Sequence, residues 1–289
     1  MIRFLLRQEN GALTETRSPQ TMPTAPAADG DLLWLDLCQE PLPQVEKILH
    51  DFFPFHPLAI DDALNESHVP KVDEWYDYLY IVLRSAHLEA DSEPAVHAPE
   101  LDIFLSQNFL ITYASEKIGA IERVWALCGQ DERWLERGPD FLLYRLADEL
   151  AAEMVETADA MHDQLDELEE EIFGEQPPDT SEGLFTLKRN ILRLRRVVLP
   201  QRDVLHKLSR NPYAVIDDED RVFFRDVYDH LLRLNDLLDE MLILVGSALD
   251  TYLSVVNNRM SVVMKTLTII TAFFMPVAFI TGFFGMNFF

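Results

Sequence analysis

Residues 266–284, TLTIITAFFMPVAFITGFF, are nineteen consecutive residues without a charged side chain. At 1.5 Å per residue, a helix of that length covers ~28 Å, about the hydrocarbon core of a bilayer. No other segment of similar hydropathy is available to pack against it, which favours a membrane span over a buried core helix. Arg259 and Lys265 flank its N-terminal side and no basic residue follows. The positive-inside rule then puts the large N-terminal part in the cytoplasm. Pro276, in the middle of the span, predicts a kink.

The residues ahead of this run extend the same helix. Between positions 220 and 284 the only helix breakers are Gly246, Pro276 and Gly282, so one helix of ~95 Å is predicted. No globular domain buries that length by itself, and the helix has to pack against copies of itself or against other helices of the chain. Val227, Leu231, Leu234, Leu238, Met241, Val245, Ala248, Tyr252 and Val255 recur in alternating steps of four and three, a heptad seam of about four heptads. A second stripe uses the same steps and is mostly small or polar: Asp250, Ser254, Asn257, Ser261, Met264, Thr268, Thr271, Met275, Ala278 and Gly282. On a membrane helix such a face serves close helix packing or lines water. Toward the cytosol the stripe passes Ser247, Glu240, Asp236, Arg233, Asp229 and Asp226. A ring of these helices would enclose an acidic, hydroxyl-lined lumen ending at Gly285, Met286 and Asn287.

Upstream, IRFLLR (2–7) and LLWLDL (32–37) read as strands, separated by a Pro/Thr/Ala-rich loop over 18–30. Residues 45–53 read as a short helix, 73–88 as one strand, and 101–113 as a hairpin turning at Gln107 and Asn108. Beyond Ile118 the chain reads as helical. Residues 148–175 hold twelve Asp/Glu and no Lys/Arg, whereas 188–210 hold eight Lys/Arg and one acid. Joined by the breaker GEQPPDTSEG, these two helices are expected to lie antiparallel, where their charges can pair. The class is α+β: a cytosolic α/β domain over 1–145, an acidic/basic helical hairpin over 146–215, a stalk helix over 216–261 and a transmembrane helix over 262–287.

Charge restricts the partners. With 24 Lys+Arg against 50 Asp+Glu the net charge is -26. Nucleic acid needs a basic face and is excluded, while cations are attracted. Cys38 and Cys128 are the only cysteines, so no disulfide framework is expected. The eight histidines are scattered and form no HExxH; GxGxxG, P-loop and GxSxG motifs are also missing. No nucleophile–base arrangement is visible, and an enzyme is not expected. MIRFLLRQEN lacks a signal peptide's apolar stretch.

GMN at 285–287, closing an apolar span that continues a heptad helix, resembles the signature of the CorA family of magnesium channels. FHPLAIDDALN (55–65), PKVDEWYDYLYIVLR (70–84) and MKTLTIITAFFMPVAFITGFFGMNFF (264–289) are also similar to that family, so the resemblance covers residues 52–289. It implies a homopentamer in the plasma (inner) membrane that carries Mg²⁺, with Co²⁺ and Ni²⁺ as further substrates. Members of the family continue into a second transmembrane helix and a basic tail, so the chain is expected to be a fragment that does not conduct alone. Gly285, Met286 and Asn287 would form the selectivity filter. Mg²⁺ dehydrates reluctantly, and a neutral side-chain carbonyl at Asn287 with open backbone carbonyls at Gly285 suits the hydrated ion. Met264, Leu267 and Met275 would gate by dewetting, and Asp250 would form an acidic ring nearer the cytosol. The resemblance also implies control by cytosolic Mg²⁺ held between subunits at Asp62 and Asp226, with Asp61 as a substitute. Two other readings stay open here. One is a zinc-transporting relative, a group that tends to depart from the Met of GMN. The other is a membrane-anchored coiled-coil scaffold, which has no use for a hydroxyl stripe through the bilayer.

Overall fold

Strand β3 (Leu32–Cys38) is apolar at almost every position, and a strand of that kind has to be covered on both faces. The computed structural model describes residues 1–9, 11–16, 31–65, 69–89, 95–131, 133–174 and 180–285. In it β3 lies inside a seven-stranded sheet. The order is β2 (Leu13–Thr16), β1 (Ile2–Arg7), β3, β9 (Phe109–Ala114), β8 (Glu100–Leu105), β5 (Tyr78–Arg84) and β4 (Lys71–Trp75). β3 and β9 run parallel and the other pairings are antiparallel. A separate ribbon pairs β6 (His87–Leu88) with β7 (Val96–His97).

Alternation along each strand sorts side chains between two cores. Leu33, Leu35, Leu37, Tyr80, Val82 and Phe104 pack beneath α1 (Leu42–Asp51) and α2 (Pro57–Leu64). Leu32, Trp34, Leu79, Ile81, Leu83 and Ile103 pack on the other face, against α3 (Gly119–Gln130) and α5 (Pro139–Ile172). Asp36 is buried on this second face and is fully partnered: Arg3 Nε and Thr112 Oγ1 each donate to it at 2.8 Å. Arg3 also reaches Glu122 of α3 and lies over the Trp125 ring, tying strand to helix. The short α4 (Arg133–Glu136) leads into α5.

The span 73–88, read as one strand, contains a hairpin and part of the ribbon. β4 and β5 turn at Tyr76 and Asp77, and β6 follows. Among the described residues only Gln39, Gly11 and Gly138 have positive φ. The turn therefore uses no left-handed residue, needs no glycine, and leaves no mark in the sequence. β2, a short half-exposed edge strand, was not expected either. The loop assigned to 18–30 lies outside the described residues.

Three long helices complete the chain: α5, α6 (Thr180–Arg210) and α7 (Arg221–Gly285). α5 begins at Pro139, inside the segment assigned to the α/β domain. The opposite charges of α5 and α6 do not meet. Among the described residues no ion pair joins them; Arg123 of α3 takes Glu149 and Glu153, and Arg195 of α6 takes Asp239 of α7. At Gly183 the approach of α5 and α6 is apolar and close: a Cβ there would stand 2.7 Å from Leu168 Cδ2.

Candidate ion pathway

α7 runs unbroken for 65 residues, with Pro276 inside it. Val227, Leu231, Leu234, Leu238, Met241, Val245 and Ala248 are all buried, and Tyr252 and Val255 pack half-buried on the same core. That core is shared with α5 and α6, so the heptad seam is used up inside one chain. The second stripe points elsewhere. Asp250, Ser254, Asn257, Ser261, Met264, Leu267, Thr268, Thr271, Met275, Ala278 and Gly282 are all exposed, and residues 260–285 are exposed all round. Among the described residues α7 is the one helix long and apolar enough to cross a membrane. The α5–α6 hairpin ends beside it, where the Arg259 guanidinium donates to the Gly174 carbonyl.

The hydroxyls of the stripe are polarised in one sense. Ser261 donates to the Asn257 carbonyl at 2.9 Å, Thr268 to Met264 at 2.8 Å and Thr271 to Leu267 at 2.9 Å. Their protons are spent on the helix, and the oxygen lone pairs are what they offer outward. A hydrated cation presents water hydrogens, for which such acceptors are the right complement. Gly285 ends the described helix; Met286 and Asn287 lie outside the described residues.

The three carboxylates read as a regulatory site stand in two places. On α2, His56 caps the N-terminus by accepting from Leu58 N at 3.2 Å, and Pro57 follows at the first turn. Asp61 accepts from the Asn65 side chain at 2.9 Å, closing the helix's far end. Asp62 is paired with Lys71 of β4, a partner the sequence reading missed. Asp226 is exposed in the second turn of α7, where His230 Nε2 lies at 3.9 Å. Among the described residues no contact joins Asp62 to Asp226, and none forms a metal cluster of three or more ligands.

Comparison with known proteins decides the family. A family model described as "CorA-like Mg2+ transporter protein" matches residues 29–289. The chain belongs to the CorA family. It is 34% identical over 260 residues to the cobalt/magnesium transport protein CorA of Thermotoga maritima, covering 88% of this chain and 73% of that one. The complete structure of the CorA magnesium transporter from Methanocaldococcus jannaschii superposes with a TM-score of 0.82 at 25% identity, over 99% of this chain and 87% of that one. The zinc transport protein ZntB of Pectobacterium carotovorum is 26% identical over 232 residues, 80% of this chain and 70% of that protein. The CorA chain described here is thus a divalent-metal transporter of a membrane family, with the α/β domain and long C-terminal helix that its relatives share.

Proposed function

We propose that this CorA-family chain is one subunit of a homopentameric pore that passes hydrated Mg²⁺, with Co²⁺ and Ni²⁺ as further substrates, across the plasma membrane. The observation that carries this reading is the division of labour on α7. Its apolar seam is satisfied by α5 and α6, which leaves the small, hydroxyl-bearing stripe exposed along α7 and free to line a shared axis. A scaffold held together by the heptad seam would need that seam exposed. Gly285, Met286 and Asn287 then stand at the outer end of the stripe, where a neutral oxygen ring holds an ion without trapping it. Asp62 and Asp226 bind cytosolic Mg²⁺ between neighbouring subunits and hold the pore closed. Carboxylate oxygens are the hard donors this ion takes, and two aspartates that do not meet within one chain suit a bridge between chains.

The test is ion uptake into vesicles by the full-length protein and its Asn287→Ala variant. The expected result is loss of selective Mg²⁺ uptake with the oligomer intact. Unchanged flux and ion order would remove Asn287 from the filter. Preference for Zn²⁺ over Mg²⁺ in the parent protein would assign it to the zinc branch instead.

A further inference from the structure

Asp62 already has a cation. Lys71 and Asp73 are two residues apart on β4, so both project from the same sheet face, the face that α2 covers. Lys71 Nζ reaches the Asp62 carboxylate from below and Asp73 Oδ2 at 3.1 Å. It also lies 5.0 Å from the centroid of the Tyr80 ring, on β5 directly opposite Asp73. That ring is fixed in turn, because Tyr80 donates its hydroxyl to Asp102 Oδ1 at 2.6 Å. Partial burial works against the ammonium, yet the two carboxylates outweigh it and raise the Lys71 pKa, so the side chain stays charged. An ammonium bridging two carboxylates from different elements occupies the place a divalent ion would take.

We propose that Lys71 is a tethered cation that fills the Asp62 end of the regulatory site when no divalent ion is bound, so that its displacement sets the Mg²⁺ concentration at which the site fills. The physiological meaning rests on the regulatory reading of Asp62, but the local exchange stands apart from it. When Mg²⁺ takes Asp62, Lys71 retains Asp73 and the Tyr80 face, so the exchange needs no rearrangement of the sheet. Lys71 is 28% exposed and Asp62 45%, so the competition is modest. Pairs of that exposure are worth at most about 1 kcal/mol, a factor of about five in affinity.

The experiment titrates Mg²⁺ against the full chain in detergent micelles, with NaCl at matched ionic strength, and reads thermal unfolding and limited proteolysis. Lys71→Met keeps the stem over Tyr80 and removes the charge. Its Mg²⁺ midpoint is expected to fall about threefold, and adding Asp62→Asn should abolish that gain. Lys71→Arg holds carboxylates with a fork of donors and should move the midpoint upward. If neither Lys71 variant moves the midpoint, or if NaCl reproduces the Lys71→Met response, Lys71 is a structural ion pair and the proposal fails. Asp226→Ala separates this from the regulatory reading. Should it leave the Mg²⁺ response of the parent intact while Lys71→Met still shifts, the intersubunit bridge is wrong and the tethered cation stands.

Discussion

Asp140 is a carboxylate, 4% exposed, held without a bonded cation. One oxygen accepts from Phe141 N at 3.0 Å and the other from Asp217 N at 2.9 Å, which fastens the start of α5 to the turn before α7. Burial pushes its pKa up; the Asp217 N–H opposes this, and the nearby Asp220 and Asp217 charges add to it. Asp140→Ala leaves two N–H groups unsatisfied and should cost about 2 kcal/mol; Asp140→Asn keeps one acceptor and should cost about 1 kcal/mol. The pH dependence follows from the sign. An acid with a raised folded pKa adds no penalty at acid pH, where it is protonated in both states. Its penalty sets in as pH rises from the ordinary carboxylate range through the raised value. Asp140→Asn lacks that slope, so its deficit against the parent should be largest at acid pH and narrow toward neutrality in urea unfolding. A deficit that widens with pH would mean that burial does not dominate at Asp140. Nothing in the sequence announces this residue, because its partner lies 77 positions away. The cysteines were easier to read: both are free and buried, and burial pushes the Cys128 thiol up to about 12, which leaves it inert.

At the scale of elements, α7 carries one buried face and one exposed stripe, and substitution should separate the duties proposed for them. Leu238→Ala opens a cavity in the core shared with α5 and α6 and should cost about 2–5 kcal/mol in chemical unfolding of the cytosolic part. Thr271→Val, on the exposed stripe, should leave that stability within about 0.5 kcal/mol while lowering Mg²⁺ flux, since it removes an outward acceptor. Equal stability losses would show that both faces only pack. The two faces were legible because heptad spacing reports which residues share a side. It does not report what they meet, which is why the seam suited self-association as well as it suits α5 and α6. Charge was a poorer guide still. The acidic α5 and basic α6 find their ion pairs within themselves and on α3 and α7, and the Leu168 side chain of α5 packs against Gly183 of α6. Among the strands, 101–113 was readable as a hairpin, whereas the Tyr76–Asp77 turn was hidden by its ordinary φ angles. The cation at Asp62 was hidden for a different reason, because Lys71 is brought to it by the packing of α2 over the sheet and not by helical or strand spacing.

At the scale of the whole molecule, a chain of net charge -26 assembled around a shared axis, as proposed above, would bring acidic faces together. Salt screens that repulsion only partly at short range. A divalent ion shared by two carboxylates removes it locally. Since Asp62 and Asp226 do not meet within one chain, an ion held by both binds only the assembled form and stabilises it by mass action. Asp62 belongs to the helix over the sheet and Asp226 to the second turn of α7, so each bridge would fasten the sheet domain of one subunit to the stalk of the next. Moving a two-state gate from 1:99 to 99:1 takes about 5.5 kcal/mol. In the proposed pentamer, five such bridges would supply that at about 1 kcal/mol each, a modest demand on a divalent ion. Millimolar Mg²⁺ should therefore protect the cytosolic part against limited proteolysis, and NaCl at matched ionic strength should protect less, because screening is not bridging. The Asp62→Ala, Asp226→Ala double variant should lose the excess protection by Mg²⁺ and keep the part that NaCl also gives. Equal protection by the two salts, or a double variant that responds to Mg²⁺ as the parent does, would make these aspartates ordinary surface charges and move the control of the pore elsewhere.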